Sequence, residues 1–194
     1  CNRKTYDNSY YRGKSAFRSS LDKVAIYLLR YCSLTPPAPG RETVVTKTRQ
    51  TISDILHRTE DVEHIYFDRR PDKPHKVGYI VITGDKGLAG AYNHNVLRMA
   101  EAHMKQFDDT TLFLIGQVGR SYFRHKGVHI AVEFMYTAQD PTAYSAREIA
   151  ETIVEHFRKG RLDEVYIVYT EMVTSMTLEP RILKLLPLDR DAFP

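Results

Sequence analysis

The sequence predicts an α/β fold, an open and mostly parallel sheet covered by helices on both faces. Three observations predict it. Residues 77–83 form a short β-branched and aromatic run without charge, preceded by Pro74 and Lys76 and followed by glycine, which reads as a buried strand. Residues 84–90 then place three glycines in seven positions, and behind them the apolar spacing turns helical, with Val96, Met99, Ala100, His103 and Phe107 on one face. The same alternation recurs downstream, and strands alternating with helices imply parallel pairing through right-handed crossovers.

Three stretches are expected: an atypical segment at 1–48, a helix end and linker at 49–76, and an α/β domain at 77–190. The first holds 5 of the 13 tyrosines. Leu21, Val24, Ala25, Leu28 and Cys32 make at most one short amphipathic helix, which Pro36, Pro37 and Pro39 break. Read as a signal peptide, residues 24–29 are too few and Arg30 interrupts them. Ile52, Ile55 and Leu56 give residues 48–58 a helical face, and the charged 59–76 stretch, with Pro71 and Pro74, reads as a loop.

Within the domain, the helix after the first strand ends near Phe107 and Asp108-Asp109 mark a turn. Residues 111–115 are a fully apolar second strand. A short helix over 118–125 is stopped by Gly127, and 128–134 is the third strand. The next helix is bounded by Asp140 as N-cap, Pro141 at the first helical position and Gly160 as stop. Ala146, Ile149, Ala150, Ile153 and Phe157 form its apolar face. Residues 165–169 are apolar at both parities, so this strand is central. Residues 172–188 return as one or two further strands. The outcome is a Rossmann-like layer without a cofactor fingerprint, preceded by the remnant of an N-terminal helix.

Most chemical classes are excluded by spacing. Glycine turns at helix N-termini bind anions, but Ala91 and Tyr92 follow Gly90 where a phosphate loop needs Lys and Ser or Thr. The spacing is G-x-x-G-x-x-G rather than the G-x-G-x-x-G of dinucleotide sites. The turn therefore reads as structural, with its glycines serving backbone conformation. His125 and His129 are separated by Gly127 and do not share a helical face, so they make a poor zinc pair. No metalloprotease, nucleophile-elbow or paired C-x-x-C motif occurs, and Cys1 and Cys32 fit no metal spacing. Asp85 and Lys86 read as solvated turn residues, and Asn93 and Asn95 as partners of local backbone. Tyr166 and Tyr169 read as core, and Asp163-Glu164 as a polar turn before a strand. The net charge of +4 divides into +6 over residues 1–76 (15 basic, 9 acidic) and −2 over 77–194 (13 basic, 15 acidic). The basicity lies outside the α/β domain, so a nucleic-acid face is not indicated.

The wording of the turn carries more than its glycine count. Ile82-Thr83-Gly84-Asp85-Lys86-Gly87-Leu88-Ala89-Gly90-Ala91-Tyr92-Asn93, with Asn95-Val96, resembles the signature of the gamma subunit of the F-type ATP synthase. Ile115-Gly116-Gln117-Val118-Gly119 looks like that family's second-strand turn. Asp163-Glu164-Val165-Tyr166-Ile167-Val168-Tyr169 and Leu185-Leu186-Pro187-Leu188 are similar to its later strand and its domain close. Gly84 stands where the family usually has serine, and Ala89 where cysteine is frequent.

The resemblance implies a rotor part of a proton-translocating machine. In that family two long terminal helices form a shaft inside the catalytic alpha/beta hexamer. The α/β domain sits at its foot, against the epsilon subunit and the membrane c-ring. A non-catalytic role is implied, with no cofactor and no metal, in a peripheral membrane complex on the cytoplasmic face of a bacterial inner membrane or its organellar equivalent. Gly84, Asp85, Lys86, Gly87, Leu88, Gly90, Asn93 and Asn95 are the motif residues, expected to serve structure or subunit contact. The resemblance further implies that residues 1–48 are a displaced reading frame, a fusion or a fragment junction, and that the long C-terminal helix is missing. Two alternatives stay open: a nucleotide- or anion-binding α/β enzyme using the Gly84–Gly90 turn, and a free-standing interaction domain on the same fold.

Overall fold

A computed structural model of the chain describes residues 65–67, 76–86, 91–134, 142–174 and 177–188. The expectations for residues 1–48 and for the helix at 48–58 lie outside these, as do Gly87, Leu88 and Gly90. A short 3-10 turn, Ile65–Phe67, precedes strand β1, Lys76–Ile82. Then follow α1 (Ala91–Met104), β2 (Asp109–Ile115), α2 (Gln117–Phe123), β3 (His129–Phe134), α3 (Ala143–Arg158), β4 (Glu164–Met172) and β5 (Leu178–Leu186). The five strands form one sheet in the order β3-β2-β1-β4-β5. The first four run parallel, and β5 returns antiparallel to β4.

The sequence pattern explains the layering. β1 is flanked by β2 and β4, and every residue from Val77 to Ile82 is buried, which is why it reads as an unbroken apolar run. Val77, Tyr79 and Val81 face α1 and α2 together with Leu112, Leu114 and Val168. Ile80 and Ile82 face α3 together with Phe113, Ile115 and Ile167. Burying each of these large side chains contributes roughly 1.5–3 kcal/mol, so two helices hold one face of the sheet and α3 the other.

Two boundaries differ from the sequence reading. Asp109 is the first residue of β2, paired with Lys76, rather than part of the turn before it. The N-cap of α3 is Thr142, not Asp140, which lies outside the described residues with Pro141. The Thr142 hydroxyl accepts the Ser145 amide at 3.0 Å, the bond that defines a cap. Acidic and hydroxyl caps two residues apart are equally good on paper, and only the bond distinguishes them. The stop at Gly160 is as expected: its φ is +68° and its amide donates to the Phe157 carbonyl.

Two ties join segments far apart in the chain. The Asp163 amide donates to the Lys76 carbonyl at 2.7 Å and the Lys76 amide to Asp163 Oδ2 at 3.0 Å, pinning the entries of β1 and β4 together. Asp163 is thus a cross-strand clamp and more than a turn residue. The Leu188 amide donates to the Tyr66 carbonyl at 2.6 Å, so the chain enters and leaves the sheet at one place.

Candidate functional site

In parallel sheets, ligands sit outside the carboxyl ends of the strands, where strand order reverses. Here that point lies between β1 and β4, and the turn after β1 is the motif stretch. Its described part, Thr83 to Lys86, is tied to the beginning of α2 and to α1 by side chains. Thr83, fully buried, donates its hydroxyl to the Ile115 carbonyl at 3.0 Å and accepts the Gly119 amide at 2.9 Å. Asp85 Oδ1 accepts the Gln117 amide at 3.2 Å. The Gly84 carbonyl accepts the Val118 amide at 3.2 Å. Asn93, buried in α1, accepts the Gly84 amide on Oδ1 at 2.8 Å.

The amides of residues 87–90, which lead into α1, lie outside the described residues, whereas those of Gln117, Val118 and Gly119 begin α2. Each is already spent on an acceptor from the β1 turn. The Gly84 amide is spent on Asn93. An incoming anion would have to displace acceptors that cost it a buried hydrogen bond apiece, about 1 kcal/mol net each. Gly116 makes the approach possible. Its φ is +92°, and a Cβ there would lie 2.1 Å from the Thr83 carbonyl oxygen, closer than any side chain tolerates. The described part of the turn, Thr83 to Asp85, is a lock that bonds the end of β1 to α1 and α2.

The structure thus moves two motif residues from their expected roles. Asp85 is half-buried and caps α2 in place of being solvated, a favourable place for a carboxylate at a helix's positive end. Asn93 reaches nine residues back along the chain rather than bonding its own turn. Lys86 and Asn95 are exposed. Among the described residues, Asp85 Oδ2 and Asn93 Nδ2 are buried without a hydrogen-bond partner. The sequence reading missed Thr83 as the central acceptor, although the G-x-x-G of residues 116–119 straight after a strand was the available signal.

A second polar cluster lies under α1 on the same face of the sheet. Tyr79, fully buried on β1, has its hydroxyl 2.7 Å from His103 Nδ1 on α1. Its ring stacks on Tyr166 of β4 at 5.6 Å, and His103 also packs against Tyr166 and Phe107. The Tyr166 hydroxyl donates to Glu164 Oε2 at 2.9 Å, and Lys184 Nζ of β5 donates to Glu164 Oε1 at 2.6 Å. Burial pushes the Tyr79 phenol well above the usual range, helped by Tyr166 and Glu164. Burial likewise raises Tyr166, together with its bond to Glu164. Burial holds the His103 imidazole below its ordinary value, against the opposing pull of the Glu164 charge. His103 and Tyr166 were placed on apolar faces from the sequence; their union through Tyr79 depends on the sheet order and had no local signal.

Elsewhere, Glu101 of α1 accepts from Tyr122 at 2.6 Å and from Lys126 at 2.7 Å, fastening α1 to the end of α2. His125 is exposed on the turn after α2, and His129 faces Thr111 at 3.4 Å. Among the described residues no group of three or more His, Cys, Asp or Glu is placed to hold a metal, and no helix is long and apolar enough to cross a membrane.

Comparison with known proteins converges on one family. The family described as ATP synthase matches residues 40–193. The chain is 47% identical over 148 residues to the ATP synthase gamma chain of Ruminiclostridium cellulolyticum, covering 75% of this chain and 50% of that protein. It is 37% identical over 154 residues to the sodium ion specific ATP synthase gamma chain of Acetobacterium woodii, covering 79% and 50%. The chain therefore spans about half the length of the curated relatives it matches. A central stalk and c-ring structure of the Tetrahymena thermophila mitochondrial ATP synthase contains a chain of similar fold. Its TM-score is 0.55 at 15% identity, over 88% of this chain and 72% of that one.

Proposed function

The chain belongs to the gamma-subunit family of the F-type ATP synthases, and from that premise we propose that it is the α/β body of a central-stalk rotor. In this reading it couples rotation of the membrane c-ring to nucleotide turnover on the alpha/beta hexamer. It contributes no catalytic residue and holds no cofactor. It works in a peripheral complex on the cytoplasmic face of the membrane, or the organellar equivalent.

The observation that carries the reading is the use of the turn amides. A foot that transmits torque must resist shear between its layers, and the β1 turn bonds a strand and two helices into one unit. The bond from Leu188 to Tyr66 supports it further, because paired entry and exit is what a two-helix shaft requires. The motif residues Gly84, Asp85, Lys86, Gly87, Leu88, Gly90, Asn93 and Asn95 then divide by role. Asp85, Asn93 and Gly84 build the lock, exposed Lys86 and Asn95 are left for subunit contact, and Gly87, Leu88 and Gly90 lie outside the described residues.

The test is binding of the epsilon subunit from a clostridial relative, followed by size-exclusion chromatography and calorimetry. A one-to-one complex that weakens on Lys86→Glu is expected. An absence of binding, under conditions where that relative's full-length gamma chain binds, would favour a free-standing domain.

A further inference from the structure

The Tyr79–His103 contact has a property that its position in the lock-bearing helix makes consequential. Tyr79 is fully buried, and among the described residues His103 Nδ1 is its hydroxyl's only hydrogen-bond partner. With the phenol as donor to Nδ1, the only arrangement that leaves no buried proton unpaired in this contact, the imidazole is neutral with its own proton on Nε2. Protonating His103 puts a hydrogen on Nδ1. The Tyr79 oxygen must then accept, and its own proton is left buried without an acceptor, a state that burial penalises.

We propose that the Tyr79–His103 pair is a pH-sensitive clamp: neutral His103 fastens α1 to the sheet, and acidification loosens it. The titratable groups facing His103 are Tyr79 from β1, Tyr166 and Glu164 from β4, and Lys184 from β5, which reaches it through Glu164. Glu164 is the sole anion among them and is already shared between Tyr166 and Lys184, so its attraction for an imidazolium is partly compensated. Burial of the ring lowers its affinity for a proton, in the same direction as the hydrogen-bond argument.

The sign follows from linkage. The folded value lies below the unfolded value of about 6.5. The stabilisation is fully present above about pH 6.5 and is lost as the pH falls through the lowered folded value. The consequence reaches the β1 turn, because α1 carries Asn93 and with it the Gly84 amide. This inference rests on the packing under α1 and is independent of the stalk reading.

The experiment is hydrogen exchange of the full chain at about pH 7.5 and about pH 5.5, corrected for intrinsic rates, with α3 as internal reference. In the wild type, protection of α1 should fall roughly threefold to tenfold more than that of α3 across this step. His103→Gln and Tyr79→Phe should abolish the difference. A titration of the His103 imidazole by NMR, assigned by its loss in His103→Gln, accompanies it, and the wild-type midpoint alone already tests the lowered value. It should show a midpoint below the ordinary imidazole value of about 6.5, moving upward in Tyr79→Phe. Parallel behaviour of α1 and α3, persistence of the step in both variants, or an ordinary midpoint for His103 would each overturn the clamp.

Discussion

Substituting Gly116 by alanine probes the lock where its geometry is least forgiving. The new Cβ would lie 2.1 Å from the Thr83 oxygen, 2.7 Å from its carbon and 2.9 Å from the Gly84 oxygen. All three are backbone atoms in the core of the turn, so no side chain can swing away. Holding alanine at a φ of +92° adds strain of about 1–3 kcal/mol. If the turn shifts to relieve the contact, the bonds from Gly119 to Thr83, Gln117 to Asp85 and Val118 to Gly84 weaken together, at about 1 kcal/mol each. The sum is about 4–6 kcal/mol, comparable with the whole stability of a small domain. It corresponds to a drop in Tm of roughly 10–20 °C for a chain of this size.

Two glycines serve as internal controls in the same thermal and urea unfolding series. Gly127 also has a positive φ, +68°, but nothing lies within 4 Å of its virtual Cβ. Gly127→Ala should cost only about 1 kcal/mol of backbone strain. At Gly119 a Cβ would meet Thr83 Oγ1 at 3.0 Å. Gly119→Ala offsets that crowding with a helix-propensity gain of about 1 kcal/mol, leaving a small net change. The order of destabilisation should be Gly116 far above Gly127, with Gly119 near zero. A Gly116→Ala variant within about 1 kcal/mol of Gly127→Ala would refute the lock.

Further expectations can be checked with the same methods. Asn93→Ala strands the Gly84 amide and should cost about 1–3 kcal/mol by urea unfolding, with exchange at Gly84 accelerated. Thr142→Ala removes the cap of α3 and should cost about 1 kcal/mol. Millimolar ATP or NAD should leave Tm unchanged, because the described turn amides have internal acceptors. A saturable rise would instead support the nucleotide-binding alternative.

The elements were legible in the sequence because each is encoded by its own residues. β1 announces itself as an unbroken apolar run because it is covered on both faces, and α3 because Ala146, Ile149, Ile153 and Phe157 repeat at helical spacing and are all buried. What the sequence hid is what depends on two segments at once. Asp85 looks like a surface turn residue until α2 is placed above it. Asn93 looks like a local capper until Gly84 folds back beneath it. Tyr79, His103 and Tyr166 come from β1, α1 and β4, and no spacing within any one of them reveals that β4 lies beside β1. Thr142 illustrates the finer limit, since the sequence reading put the cap at Asp140 and the amide bond that defines it falls on Thr142.

Torque transmission through this domain can be measured in a chimera. Residues 77–188 would replace their counterparts in the full-length gamma chain of a clostridial relative, within its reconstituted synthase. ATP hydrolysis and ATP-driven ion pumping would then be measured on the same vesicles. Both should persist in the native ratio, and Gly116→Ala in the graft should lower pumping relative to hydrolysis. An assembled enzyme that hydrolyses ATP without pumping, with the unmodified graft in place, would contradict torque transmission through the domain.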